Sequence, residues 1–420
     1  MRKALKSLYL NPVGQIGGAE NVLLNLLSGV REQSPRADVT LIAAADGPLV
    51  RRARLMKVKT RVLRFPRALS EFGDSGLDRG RRRSRIGVLA MLPAALRAAV
   101  AAVGYIRRLS KVVRAADPDV IQTNGLKMHI LASWLKLPGV PLIWHVHDYV
   151  SQRPLMRILI RLHARRCRLA IVPSRSVAAD FETVCRGRVS ICCVYNGIDL
   201  DRFSPVVANA DSDDVPGERI SVRRDLRIGL VATFARWKGQ EVFLEALALL
   251  SPELPFRAYM VGGPVYQTRG SQYTLDELRD RARKLGVEDR VVFTGYVGET
   301  AAVIRSLDIV VHGSTRPEPF GLVIAEAMAC GKAVIVASHG GAAELIEEGV
   351  TALAHHPGDA VSLAAKIRVL AENERLRLRL GRAARETAVK RFDRRRLAAQ
   401  ILLIYESLLV ERPIGWRAAA

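Results

Sequence analysis

The chain has 420 residues, 49% apolar and 25% charged, a balance that excludes general disorder, collagen and coiled coil and leaves room for two α/β domains. Its 65 basic residues against 41 acidic ones give a net charge of +24, and the surplus is lopsided: residues 1–205 hold 35 Lys and Arg against 14 Asp and Glu, whereas residues 206–420 hold 30 against 27. The first half therefore faces something anionic, while five cysteines without metal-ligand spacing read as buried thiols of a reducing compartment.

From the N-terminus, short apolar runs alternate with helical patterns. No apolar stretch of signal-peptide type follows the basic start, so no leader is expected. Leu5–Asn11 reads as a strand, and GQIGGAENVLLNLL at 14–27 follows it and opens a helix. Gly17 and Gly18 let backbone N–H groups approach a ligand, and the helix start adds partial positive charge. Together they suit a diphosphate; a tight strand–helix turn is the plain alternative. Further strands are expected at Val39–Ala44, Arg61–Phe65, Asp119–Thr123, Pro141–Val146, Leu169–Pro173 and Ser190–Tyr195.

Residues 86–106 are long enough to span a bilayer, but Pro93, Arg97 and basic clusters at both ends argue for one or two helices lying on the protein or dipping into a membrane surface. WHVHDYV at 144–150 puts His147 at a strand end with His145 on the same side of the pleat. No third ligand accompanies the pair, so no metal is expected; two structural histidines are the alternative. Arg153, Arg157, Arg161 and Arg165 recur every four residues beside Leu155, Ile158, Leu159 and Leu162. With the run at 79–85 that stripe suits anionic headgroups, against the alternatives of solvated helix faces and a GC-rich genome. Aromatics at 5% and the lack of a binding motif argue against nucleic acid.

Residues 205–225 are polar, proline-containing and aperiodic, a linker pattern. Asp211 and Asp213 have Asp-x-Asp metal spacing but fall inside that stretch, away from any strand end. Beyond it the alternation resumes, with strands expected at Arg227–Phe234, Arg257–Val261, Val291–Thr294, Ile309–His312 and Ala333–Ala337. In RWKGQEVFLEAL at 236–247, Arg236 and Lys238 sit at a strand–helix turn where they can neutralise phosphate; a solvated turn is the alternative.

In GSTRPEPFGLVIAEAMACGKAVIVASHGGAAELI at 313–346, Pro319 and Phe320 mark a helix start. The N–H groups of Phe320, Gly321 and Leu322 are then open to a phosphate. Glu318 lies outside that helix and Glu326 inside it, two carboxylates suited to accepting sugar hydroxyls. An acidic charge on the helix dipole is the alternative for Glu318. The apolar run Leu397–Leu409 suggests a final helix returning to the first domain. The expected division is 1–204, a linker at 205–225, 226–395, and a returning helix at 396–420. The fold class is α/β, two doubly wound domains facing a cleft.

The order and spacing of these motifs resemble the retaining glycosyltransferases of family 4, which have the GT-B fold of two Rossmann-like domains. The resemblance covers nearly the whole chain: the glycine pair, VPSRSVAADF (172–181), VYNGIDLDRF (194–203), the Lys238–Gly239 turn, VVFTGYV (291–297), and the paired glutamates with Gly340 and Gly341 behind them. It implies that Gly17 and Gly18 contact the donor diphosphate and that His147 lies near the transferred sugar and leaving group. It also implies that Glu318 binds the sugar hydroxyls, Glu326 the ribose, and the Tyr296–Val297 backbone the base.

One departure stands out. The family's usual arginine before the lysine is replaced by Ala232, Thr233 and Phe234, and Arg236 comes later. The implied activity is retaining transfer of a hexosyl unit from a UDP- or GDP-linked sugar to a hydroxyl of a lipid-linked or cell-surface glycan precursor, with no essential metal. The cysteines and the basic surplus of the first half lead to an expected setting in the cytoplasm, peripheral at the inner face of the cell membrane. A nucleotide-sugar epimerase of the same fold and a catalytically inactive nucleotide-sugar or glycan binder are the competing readings.

Overall fold

A computed structural model describes residues 4–71, 92–205, 225–264 and 270–410. The basic run at 79–85, the Asp211–Asp213 pair and all but the ends of the expected linker lie outside the described residues.

In the first unit, β1 (Lys6–Asn11), α1 (Gly18–Gln33), β2 (Asp38–Ala43), α2 (Pro48–Leu55), β3 (Lys59–Val62), α3 (Arg67–Glu71), α4 (Leu92–Ala116), β4 (Val120–Asn124), α5 (Leu126–Ala132), β5 (Leu142–His145), α6 (Pro154–His163), β6 (Leu169–Val172), α7 (Arg175–Cys185) and β7 (Ser190–Cys193) follow one another. The strands form one parallel sheet in the order β3-β2-β1-β4-β5-β6-β7. Burial on both faces explains why they read as unbroken apolar runs: Leu8, Leu10, Ile121, Ile143 and Trp144 are all fully or nearly fully buried.

The second unit repeats the scheme with β8 (Leu226–Val231), α8 (Gln240–Ala248), β9 (Phe256–Val261), α9 (Leu275–Lys284), β10 (Val291–Gly295), α10 (Thr300–Ser306), β11 (Ile309–His312), α11 (Leu322–Ala329), β12 (Ala333–Ala337), β13 (Leu353–His355), α12 (Ala360–Glu372) and α13 (Glu374–Arg391). Its parallel sheet runs β10-β9-β8-β11-β12-β13. In each sheet the strand order reverses once, between β1 and β4 and between β8 and β11. Ligands of doubly wound sheets bind beyond the carboxyl ends of the strands at such points.

The last helix, α14 (Arg394–Leu409), belongs to the first unit, which comprises Met1–Gly197 and Arg394–Ala420; the second is Ile198–Asp393. α14 packs on α1. A Cβ at Gly29 would lie 2.7 Å from the Ala398 Cβ and 2.8 Å from the Arg394 carbonyl, so the missing side chain lets the helices meet. At the far end the Tyr405 hydroxyl bonds the Gln122 side chain on β4 at 2.6 Å.

The division falls at Gly197–Ile198, ahead of the expected linker. Residues 198–205 are tied into the second unit: the Ile198 N–H bonds Phe392 O at 2.7 Å, and Arg385 donates to Phe203 O at 3.0 Å. Among the described residues no helix is long and apolar enough to cross a membrane. Cys193 is exposed, against the expectation for the thiols, and the other four cysteines are buried.

Candidate active site

In the second unit, β8 runs into a turn over Arg236–Lys238, and Gly239 then opens α8. Gly239 has φ +82°, and a Cβ there would stand 1.9 Å from Gly313 O, so the loops after β8 and β11 touch backbone to backbone. Thr315 N–H bonds Trp237 O at 2.7 Å and fixes the same approach. This contact delivers the Lys238 Nζ to Glu318 Oε1 at 2.6 Å. The other carboxylate oxygen accepts from His312 Nε2 and Ser314 Oγ, each at 2.7 Å.

Glu318 is 12% exposed and Lys238 17%. Burial pushes the Glu318 carboxyl up, but the Lys238 charge and the His312 hydrogen bond more than reverse it, and the group is held well below the usual carboxylate range. Behind Glu318, Gly341 N–H donates to its carbonyl at 2.8 Å. The result is an ionised carboxylate and an ammonium side by side at the mouth of the sheet, each with a little exposed surface.

α11 starts at Leu322, not at Pro319 or Phe320 as expected, because Gly321 turns the chain at φ +93° and Phe320 is buried against Phe392 with ring centroids 5.7 Å apart. The helix-start amides are therefore those of Leu322 and Val323. Within α11, Glu326 is half-buried, and burial lifts its carboxyl to about 7 against an opposing pull from Arg202. Tyr296, directly after β10, is exposed, with Val297 half-buried beside it.

Arg236 is not in the Lys238–Glu318 cluster. Its guanidinium bonds Glu277 at 2.8 Å and Gly270 O at 3.2 Å and lies 4.4 Å from the Tyr273 ring centre.

In the first unit, His147 follows β5. Its Nε2 lies 2.5 Å from Asn124 Oδ1, Asn124 Nδ2 donates to Asn11 Oδ1 at 2.7 Å, and Asn11 Nδ2 donates to Val13 O at 2.7 Å and toward Glu20 at 3.5 Å. The polarity of this chain is fixed at one end. Val13 O can only accept, so each amide is oriented in turn and the Nε2 of His147 must carry the proton. Burial pulls the imidazole down to about 4, so it is neutral at pH 7 with Nδ1 an acceptor.

The Gly17 N–H donates to Glu20 Oε2 at 3.0 Å, leaving the amides of Gly18 and Ala19 at the start of α1 for a ligand. That narrows the expected role of Gly17. His145 is structural: it is buried, with Nδ1 3.2 Å from Gln122 Nε2. Asp180 on α7 accepts from Val150 N–H at 2.8 Å and Ser151 N–H at 3.2 Å, which pins the loop after His147. His312, Ser314, Asn124 and Asp180 were not expected. A glutamate three residues past the glycine that opens α1 was the one sequence signal for the Glu20 contact.

Two family models match the chain: Glycosyltransferase Family 4 over residues 16–202 and Glycosyl transferases group 1 over residues 219–387. Mannosylfructose-phosphate synthase of Agrobacterium fabrum is 31% identical over 225 residues, 52% of this chain and 48% of that protein. The chain thus spans about half the length of that relative. The N,N'-diacetylbacillosaminyl-diphospho-undecaprenol alpha-1,3-N-acetylgalactosaminyltransferase of Campylobacter jejuni is 25% identical over 315 residues, 72% of this chain and 80% of that one. Among solved structures, Anabaena HepE in complex with UDP superposes with a TM-score of 0.76 at 26% identity, over 96% of this chain and all of that one. The same protein has also been solved with UDP-glucose.

Proposed function

The chain belongs to the group 1, family 4 glycosyltransferases, and from that premise we propose that it moves a hexosyl unit from a nucleotide diphosphate sugar, UDP- or GDP-linked, to a hydroxyl of a lipid-linked or cell-surface glycan precursor, with retention at the anomeric carbon. The observation that carries the reading is the Lys238–Glu318 pair, a fixed ammonium and a fixed carboxylate at the carboxyl ends of β8 and β11. Departure of a nucleoside diphosphate builds negative charge on the leaving phosphate and positive charge at the sugar. Lys238 and the amides of Leu322 and Val323 answer the first; Glu318 accepts sugar hydroxyls and holds the ring in place. These groups are preorganised, so little reorganisation accompanies the reaction.

Within the first unit, the neutral His147 can accept a hydroxyl through Nδ1 and the amides of Gly18 and Ala19 can take an anion; the family resemblance assigns them to the sugar and the diphosphate. Glu326 is assigned to the ribose and the Tyr296–Val297 backbone to the base, as the family resemblance implies. In the step proposed, the acceptor oxygen bonds the anomeric carbon on the face the diphosphate leaves. The anomeric C–O bond to phosphate breaks, and the acceptor's proton passes to the departing phosphate oxygen. The cationic work falls to Lys238 and helix amides, so no essential metal is proposed.

The UDP and UDP-glucose complexes of HepE support a UDP-linked donor, and the Campylobacter relative supports a diphospholipid-linked acceptor. The test is a donor screen following UDP or GDP release with and without hydroxyl acceptors. Acceptor-dependent release supports the proposal. Donor epimerised without acceptor, or donor bound and never turned over, would replace it with one of the competing readings.

A further inference from the structure

The outward face of α4–α7 in the first unit is built for an anionic, apolar-backed surface. From β3 to β7 the sheet order steps in one direction, so right-handed crossovers put these four helices on one face. They pack in order, α4 on α5, α5 on α6 and α6 on α7. On α6, Met156 and Ile160 are buried, whereas Ile158 and Leu162 are 55% and 65% exposed. These two lie between Arg157, Arg161 and Arg165, one residue along the helix in each case. On α4, Leu96, Val100 and Val103 repeat the pattern, exposed at i, i+4 and i+7. Just beyond α5, Trp134 is half-exposed with the Arg166 guanidinium 4.4 Å from its ring centre.

Much of the basic charge on this face has no acidic partner, although Arg153 pairs with Asp148. Among the described residues, Arg157, Arg161, Arg165, Arg168 and Arg186 form no ion pair. Like charges crowd them: the Arg161 guanidinium is pushed below its ordinary value by Arg186 first, with Arg188 and Arg157 adding to it. Around the edge of the layer, an open depression is lined by Arg165, Arg166, Arg168 and Arg188 together with Leu142 and Ser190. Those last two begin β5 and β7, so the depression sits at the opposite end of the sheet from His147.

We propose that this face docks unit 1 on a bilayer surface rich in anionic phospholipid, with Ile158 and Leu162 entering the interface and the flanking arginines meeting headgroup phosphates. A polyanion without an apolar layer would satisfy the guanidiniums and leave the aliphatic side chains in water, which favours lipid over nucleic acid. The inference goes beyond the transfer reaction and does not depend on it, and its test measures no turnover.

The full chain is sedimented at physiological salt with phosphatidylcholine vesicles and with vesicles carrying about one-third phosphatidylglycerol. Binding to the anionic vesicles alone is expected. A triple Arg157→Glu/Arg161→Glu/Arg165→Glu variant and a double Ile158→Ser/Leu162→Ser variant should each weaken it at least ~10-fold. A charge-matched Arg279→Glu/Arg375→Glu/Arg379→Glu variant in the second unit should bind like the parent. Quenching of Trp134 by brominated lipid, lost in Trp134→Phe, gives a second readout that needs no charge change. The proposal is overturned by failure to bind anionic vesicles, by equal loss in the charge-matched variant, or by binding of a duplex RNA with no binding of vesicles.

Discussion

At the scale of single residues, three donors converge on Glu318: Lys238, His312 and Ser314. Glu318→Gln keeps the shape and removes the charge, which leaves the Lys238 ammonium nearly buried beside a neutral amide. Transfer should fall at least ~100-fold, and stability by about 2 kcal/mol, measured as turnover and as a denaturant midpoint. The carboxyl of Glu326 sits above its ordinary 4.5, at about 7, so the folded state binds its proton more tightly than the unfolded chain does. The stability this proton contributes is whole below pH 4.5 and is lost as pH rises through about 7, roughly 2 kcal/mol given a half-buried group. Urea titrations across that window should slope downward, and Glu326→Gln should flatten them.

His147 gives the opposite case. At about 4 it stays neutral across the working range, so no limb of the rate profile between pH 5 and 8 should belong to it. Nitrogen-15 spectra should show the Nε2–H tautomer, and Asn124→Leu should yield a tautomer mixture with transfer down roughly 10-fold. Glu318, Lys238 and His147 were legible in the sequence as candidates because each sits in a motif following a strand. Asn124, His312 and Ser314 were not, since a polar residue closing a strand has no mark of its own until the next strand is laid beside it.

At the scale of elements, the alternation of apolar runs and amphipathic stretches located, within a few residues, twelve of the thirteen strands found among the described residues. β13 escaped because Leu353–His355 is three residues long and carries no period. The start of α11 was misplaced because Pro319 favours a first helical position, and only the left-handed turn at Gly321 shows where the helix begins. Glycines separate two kinds of constraint. At Gly349, φ is +76° with nothing near an added Cβ, so Gly349→Ala should cost about 1 kcal/mol of backbone strain. At Gly239 the same substitution adds a collision with the Gly313 carbonyl. It should cost well over 3 kcal/mol and separate Lys238 from Glu318, readable as a large fall in melting temperature with lost transfer.

At the scale of the whole molecule, the second unit is an insertion in the first. The chain leaves the first unit after Gly197 and re-enters it at Arg394, and the Ile198 and Asp393 backbones pair in parallel where the insertion begins and ends. α14 contributes Leu397, Ala398, Ile401, Ile404 and Tyr405, all buried, to a unit whose other residues were finished some two hundred positions earlier. A chain stopped after Asp393 should keep a cooperative unfolding transition for the second unit and lose the one for the first, as read by calorimetry with limited proteolysis. Two of the expected boundaries missed because contacts, not composition, decide which side a connecting segment joins. During synthesis the ribosome must deliver the entire inserted unit before the helix that completes its host can emerge. The helix that seals the first unit is therefore made only after the whole inserted unit, and a nascent chain stalled in between exposes the α1 surface to the cell's proteases and chaperones.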